Sequence, residues 1–337
     1  MSEREALIPA SPETETDRVK RKPGARNFLL LYGRQFGTLI GLMLLSITLW
    51  ALTPHFLTVS NLLNILQQTT IVAIIAVGMT FVIITAGIDL SVGSILAFSG
   101  VVMASLLQKN VPVAVALLAS MGAGLGCGML NGLLITVGKL PPFISTLGMM
   151  SIARGAALVF TEGRPISGFS DGFRQIATGE LFHIPVPVIV MLIVYFVAHF
   201  VLTKTKLGRY TYAIGGNEEA TVLSGVNVKL YKTLVYALCG MLSGLAAILL
   251  TARLNSAQPI AGMMYELDAI AATVVGGTSL TGGEGAIFGT LIGALIIGML
   301  RNGLNLLDIS SFVQQIVIGA VIIVAVLFDM ALKARRR

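Results

Sequence analysis

The feature that most constrains this chain is a succession of apolar blocks parted by short polar stretches, most of them near the ~20 residues a helix needs to cross a hydrocarbon layer. The blocks run Phe36–Leu52, Ile71–Ala86, Val92–Leu107, Val113–Val137, Phe143–Phe160, Ile184–Leu202, Thr233–Thr251, Asp268–Leu280, Ala286–Leu300 and Phe312–Met330. No water-soluble core absorbs that much apolar sequence. Of the 337 residues, 55% are hydrophobic and only 12% are charged, against the ~25% charged of soluble domains. A soluble domain needs far more polar surface to cover its core. The expected fold is all-α, a polytopic integral-membrane bundle of about ten transmembrane segments. Two blocks are expected to be short or broken: Ile71–Ala86 ends in Gly87, and Asp268–Leu280 runs into Gly282 and Gly283. Such clipped, glycine-ended segments occur where backbone lines a cavity instead of facing lipid.

Basic residues orient the bundle. With the N-terminus inside and ten alternating spans, 17 of the 23 Lys and Arg fall on the inner side and 5 on the outer, with Arg154 inside a span. That asymmetry is what the positive-inside rule requires, and it places both termini in the cytoplasm. The net charge of +7 is therefore an orientation signal, and no nucleic-acid partner is expected. The chain divides into a polar cytoplasmic tail at 1–35, a transmembrane domain at 36–331 and a basic cytoplasmic tail at 332–337. Two connections inside the domain are long, an inner one at 203–232 and an outer one at 161–183. No apolar core lies near Met1, so Phe36–Leu52 reads as a retained span rather than a cleaved signal. Cys127 and Cys239 lie inside apolar blocks and read as packing thiols.

Enzyme chemistry finds little to work with. His55, His183 and His199 share no metal-ligand spacing, so no metal site and no catalytic residues are expected. The nearest approach to a phosphate loop, Gly132 to Lys139, has one residue too many between its glycines and continues with Leu140. If transport is active, the energy must come from an ion gradient or from another subunit. The intramembrane ionisable candidates are Asp89, Arg154 and Asp268. Each has a structural reading too: Asp89 as a turn or N-cap residue after Gly87, Arg154 as a partner of backbone carbonyls, Asp268 as a helix cap. Uncharged amides are the other candidates for a translocation pathway. Asn61, Asn64 and Gln68 share one helix face, Asn302 and Asn305 repeat the spacing after the ninth block, and Asn255 and Gln258 precede the eighth. Amides offer donors and acceptors without charge, which suits a hydroxyl-rich neutral solute, and they serve interhelical bonding equally well. A faint repeat, G-x-[DS]-L-[ST]-x-G, relates Gly87–Gly93 to Gly277–Gly283.

The inner connection holds Asn217-Glu-Glu-Ala-Thr-Val-Leu-Ser-Gly225. It predicts a short helix with Asn217 as N-cap, acids in the first turn and a glycine stop. A soluble helix held against the membrane face is a docking knob for a partner.

Longer strings carry a resemblance. They are NLLNILQQTTIVAIIAVGMTFVIITAGIDLSVGS from Asn61, KLGRYTYAIGGNEEAT from Lys206, SGVNV from Ser224, ARLNSAQPIAGMMYELDAIAATVVGGTSLTGG from Ala252 and IFGTLIGALIIGMLRNGLNLL from Ile287. From about Phe56 to Asp329 the chain resembles the permease subunits of ribose-type ATP-binding-cassette sugar importers. The resemblance implies a homodimer in the bacterial cytoplasmic (inner) membrane. Its partners are a cytoplasmic ATPase subunit, which uses ATP and Mg, and an extracytoplasmic sugar-binding protein. This chain itself binds no cofactor. The cargo implied is ribose or a related monosaccharide. The family's ATPase contact maps onto Gly216 to Ala220, so Asn217, Glu218, Glu219, Ala220 and Gly225 are the expected coupling residues. The match to the EAA-type loop of other importers is partial, since Thr221 stands where a second alanine is usual. Arg164, Asp171, Arg174 and Glu180 of the outer loop are the candidate docking residues for the binding protein. The alternative class, an ion-coupled secondary transporter of a small neutral solute, differs in one testable respect: it would work without an ATPase.

Overall fold

The computed structural model describes residues 25–334; the polar leader and the last three residues, in which parts of both expected tails fall, lie outside the described residues. Helices dominate. They run α1 (Ala25–Leu52), α2 (Val59–Ile84), α3 (Val92–Gln108), α4 (Val113–Thr136), α5 (Pro142–Thr161), α6 (Asp171–Thr178), α7 (Val186–Lys204), α8 (Lys206–Gly216), α9 (Glu218–Leu223), α10 (Val228–Leu254), α11 (Tyr265–Val275), α12 (Ile287–Leu306) and α13 (Ser311–Ala334). Among the described residues, six of these (α2, α4, α5, α7, α10 and α12) are long and apolar enough to cross a membrane, and α1, α3 and α13 carry shorter apolar stretches. This is a polytopic helical membrane protein.

Two expectations of length need correction. The block at Ile71–Ala86 is not short: all but its last two residues form the C-terminal part of α2, a helix of 26 residues. Hydropathy misses its first three turns because they are polar. The helix starts at Thr58, whose hydroxyl accepts from the Asn61 amide nitrogen, and Asn61 itself is buried. Likewise α12 runs on to Leu306, so Asn302 and Asn305 lie within a helix rather than after one. By contrast α11 is short, 11 residues, and stops at Gly276 and Gly277, the latter at φ +92. Positive φ at little steric cost is what glycine supplies there.

The bundle has two central pillars. α2 and α10 are buried along most of their length, whereas α4, α5 and α7 expose most of theirs. Outward side chains on the ring are apolar, among them Phe196, Val159 and Ile152. α4 meets α10 through glycines: a Cβ on Gly124 would strike the Gly240 carbonyl, and one on Gly240 would strike that of Gly124. Small residues let the backbones touch, the usual route to helix association where lipid removes the hydrophobic drive.

Two helix breaks interrupt the regular packing. Residues 85–91 fold back between α2 and α3, and residues 276–286 join α11 to α12. The second holds its copy of the repeat seen in the sequence whole and the first all but Val92 and Gly93, which open α3; the Gly283 nitrogen donates to the Ile84 carbonyl at the mouth of the first break. At the opposite end, the 161–183 connection is more than a loop. It contains α6, whose Phe173 and Ala177 are buried, and a strand β1 (Ile166–Ser167) that pairs antiparallel with β4 (Ser256–Ala257). Glu180–Leu181 and Ile184–Pro185, β2 and β3, form a second small pair.

Candidate functional site

Of the residues proposed for a pathway, Gln68 and Asp268 line one cavity. A cavity of about 180 Å³ lies among α2, the end of α10, α11 and α12. Gln68, Thr69 and Val72 line it from α2, Arg253 from the last turn of α10, Tyr265 and Asp268 from α11, and Arg301 from α12. Asp268 stands in the first turn of α11, where a carboxylate complements the helix dipole. Both of its oxygens accept from Arg301 Nη2, at 2.9 and 2.8 Å. The carboxylate is 4% exposed and the guanidinium 40%, so the pair is sunk at one end and open at the other. Asp268 is therefore an ion-paired wall residue. Arg301, placed beyond its span by the sequence, belongs to the helix.

Three of the remaining amides in the bundle, Asn61, Asn302 and Asn305, tie helices together, and Asn255 ties α10 to the outer connection. Asn61 and Asn302 exchange two hydrogen bonds of 3.0 Å, tying α2 to α12. Asn305 Oδ1 accepts from Gln314 of α13 at 2.7 Å. Asn255 closes α10 in the left-handed region and accepts from the Phe169 nitrogen of the outer connection. Asn64 is exposed on α2. Gln258 lies in the segment that dips back along α3 between α10 and α11, lining a smaller crevice with Gly100 and Thr251. Arg154 fixes that segment: its Nη1 donates to the Pro259 and Ala261 carbonyls, 2.7 Å each. The carbonyl-bonding reading of Arg154 is the one realised.

Asp89 lies in the first break, fully buried. It is not the N-cap of α3; that position is Ser91. Instead Asp89 Oδ1 accepts from the Ser91 nitrogen at 2.9 Å and the Ser91 hydroxyl at 2.5 Å, an Asx turn. The chain of bonds continues: Asn131 Nδ2 donates to Ser91 Oγ, and Ser145 Oγ donates to Asn131 Oδ1. This links the break to α4 and α5. No cavity opens onto it among those described.

The inner connection folds as two helices, and the capped one is present as α9. Asn217 Oδ1 accepts from the Ala220 nitrogen at 2.9 Å, Glu218 and Glu219 fill the first turn, and Gly225 follows at φ +80. Val222 and Leu223 project into solvent, Leu223 at 89% exposure. Lys232 Nζ of α10 holds Glu218 Oε2 at 2.7 Å. The other helix, α8, is wedged into the bundle. A Cβ on Gly215 would run into the Ile84 carbonyl, at the end of α2 where the first break begins, and the Gly283 nitrogen in the second break. Tyr212 Oη donates to the Gly285 carbonyl at 2.6 Å. Burial pushes its phenol pKa up, so the donor stays protonated. At the outer end, Arg164, Asp171, Arg174 and Glu180 are all exposed, and Arg174 pairs with Asp171 at 3.2 Å.

A family profile described as the permease component of branched-chain amino acid transport systems matches residues 61–326. The chain is 52% identical over 301 residues to the ribose import permease protein of Haemophilus influenzae, covering 88% of this chain and 93% of that one. It is 51% identical over 310 residues to the ribose import permease protein of Escherichia coli K12, covering 91% and 97%. The D-allose transport system permease protein of the same strain is 41% identical over 319 residues, covering 93% and 98%. No solved structure matches. This chain belongs to that permease family.

Within the permease, the sequence located the capped helix α9 and two of the cavity residues, and it missed the rest of the cavity wall. Thr69, Arg253, Tyr265 and Arg301 come from four helices, and nothing in their spacing links them. One signal was available for Arg301. Taken as part of a continuing helix, it stands beside Asn302 at a point where a charge needs a buried partner, and Asp268 is the acid on the neighbouring element.

Proposed function

We propose that this permease is the membrane-spanning subunit of an ATP-binding-cassette importer that carries ribose or a related monosaccharide across the bacterial inner membrane. It works as a homodimer with ten spans per copy and both termini inside. Cytoplasmic ATPase subunits hydrolyse Mg-bound ATP, and an extracytoplasmic binding protein delivers the sugar. Similarity to ribose and allose import permeases over about nine-tenths of the chain supports the cargo.

The observation that carries the reading is how α9 is attached. It offers an exposed apolar tip to a soluble partner, and its base leads through α8 to Gly215 and Tyr212, which press on both helix breaks. Packed interiors transmit displacement instead of absorbing it. When ATP draws the ATPases together, α9 of each copy is pulled inward, α8 levers the segments 85–91 and 276–286, and α11 with α12 tilts. Lys232 and Glu218 couple the same motion to α10. The outer connection, with Arg164, Asp171, Arg174 and Glu180, receives the binding protein, while the amide-bearing ends of α2 and α12 and Asp268 border the sugar's route. Selection rests with the binding protein, so the route itself needs only weak contacts.

Reconstitution tests this. Vesicles holding the permease with its ATPase should take up ribose only when binding protein and ATP are both supplied, and the permease should retain the ATPase through purification. Uptake by the permease alone, driven by an ion gradient, would overturn the assignment in favour of a secondary carrier.

A further inference from the structure

We propose that the irregular segment 258–264, with the first turn of α11, forms one wall of the sugar's route, and that a second copy of this chain supplies the facing wall. The inference rests on the homodimeric sugar-permease reading and names the surface that one copy contributes.

Depth comes first. The segment leaves β4 beside Gly100, midway along α3, and reaches Gly93, in the first turn of that helix. There the two backbones touch, since a Cβ on Gly93 would strike the Gly262 carbonyl. From the other side Arg154, well inside α5, holds the Pro259 and Ala261 carbonyls. Gly262 and Met264 both take φ +70 and turn the chain back into α11. These residues therefore lie among apolar helices, at a level where a bilayer holds hydrocarbon.

Fixed at that depth, the segment still turns one side outward. Ile260 is 56% exposed and Met263 62%, and Met264 and Leu267 are exposed beside them. The nitrogens of Ile260 and Met263 donate to no backbone carbonyl among the described residues. Lipid cannot cover such a face, because within the hydrocarbon layer irregular backbone persists only where it is buried in protein or borders water. On α7 the contrast is plain: Ile193 and Phe196 are exposed on a regular helix that satisfies its own backbone.

Polar groups gather at the same place and favour water over a dry contact. Glu266 stands in the first turn of α11, with Oε2 2.8 Å from where a Cβ on Gly93 would lie. A carboxylate at that depth belongs with a water-filled space. Ser151 is exposed one turn before Arg154 on α5. A carboxylate and a hydroxyl suit sugar hydroxyls, and isoleucine and methionine surfaces suit the C–H face of the ring. One copy leaves this face open along a whole side. Isologous pairing sets the same surface of a second copy opposite it, and water or sugar between the two satisfies the free backbone groups.

The test places a cysteine on the face, M263C in a C127S background, with F196C as the lipid-facing reference; Cys239 is buried. In vesicles holding the complete permease–ATPase complex, a charged thiosulfonate should label M263C at least about tenfold faster than F196C, since the reactive thiolate forms only where water reaches it. A bismaleimide should join two M263C chains into a dimer. In parallel, M263W should cut ATP-driven ribose uptake several-fold while ATP hydrolysis stimulated by the binding protein stays near the parent rate, as an obstructed route requires. If uptake and hydrolysis fall together, labelling and cross-linking decide. The wall is overturned if only a lipid-soluble maleimide labels M263C, if neither reagent does, if labelling is never accompanied by cross-linking, or if M263W takes up ribose at the parent rate. Should M263C fail to assemble, I260C carries the same measurements. Labelling and cross-linking need neither ATP nor sugar, so a parent complex that carries no ribose brings down the functional reading and leaves these two measurements standing.

Discussion

Asp89 and Asp268 are the same side chain in the same bundle, one inside a helix break and one in the first turn of α11, and each is nearly withdrawn from solvent. Around Asp89 every neighbour is protein: the Ser91 nitrogen and hydroxyl hold one oxygen, and Asn131 and Ser145 extend the bonds into α4 and α5. Around Asp268 one face is protein and the other is empty space, with a single half-open arginine as counterpart. The first carboxylate shapes a turn and the second borders a cavity. Burial alone does not mark an acid for transport. What separates the two is free volume beside the carboxylate: Asp89 Oδ2 is enclosed by protein without a hydrogen-bond partner, whereas Asp268, bonded through both oxygens, faces a cavity.

The comparison predicts unequal costs, and the sealed site should be the more expensive. In D89A the Ser91 nitrogen and hydroxyl lose their acceptor inside a fully buried turn, and Asn131 loses the fixed Ser91 oxygen it donates to. A loss of about 3 kcal/mol is expected, read as a lower unfolding temperature in detergent. D89N keeps one acceptor oxygen and should recover most of that stability. If D89A were as stable as the parent but failed in uptake, Asp89 would move to the pathway side of the comparison.

Arg154 lies between the two extremes. Its charge is spent on two carbonyls, Pro259 and Ala261, which hold the 255–264 segment against α3 and α5. R154A should cost about 2 kcal/mol, less than D89A because the guanidinium is only partly buried. R154K should not restore it fully, since a single ammonium cannot reproduce the planar fork on two acceptors. Proteolysis within 255–264 offers a second measurement, expected to quicken in R154A and stay unchanged in D89N.

How much of this the sequence exposes depends on the length scale of each signal. The class of fold follows from apolar blocks, a signal spread over some twenty residues at a time, and it holds. So does the capped helix: Asn217, two acids and Gly225 sit within nine residues, and capping is a local matter. The start of α2 was misplaced because Asn61, Gln67 and Gln68 lower the hydropathy of a stretch that tertiary partners then bury or border; Asn61 meets Asn302, 241 positions away. The cavity was half legible for the same reason. Gln68 and Asp268 stand out as polar residues in apolar surroundings, but their company with Arg253, Tyr265 and Arg301 exists only after α2, α10, α11 and α12 converge.

The Asp268–Arg301 pair should show the smallest stability effect and the most informative one. With Arg301 40% exposed, solvent screens the pair, and breaking it with D268N should cost about 1 kcal/mol instead of the ~3–5 of a fully buried ion pair. R301Q should cost more than D268N, because it strands a carboxylate that is 4% exposed, whereas D268N leaves a guanidinium that can turn to water. The double variant D268N/R301Q should then be no worse than R301Q alone, giving a favourable coupling of about 1 kcal/mol in a double-mutant cycle. A coupling near zero would mean that each residue answers mainly to the cavity. A coupling above ~3 kcal/mol would make the pair a structural tie like the Asp89 turn, and the difference between the two carboxylates would shrink to one of exposure.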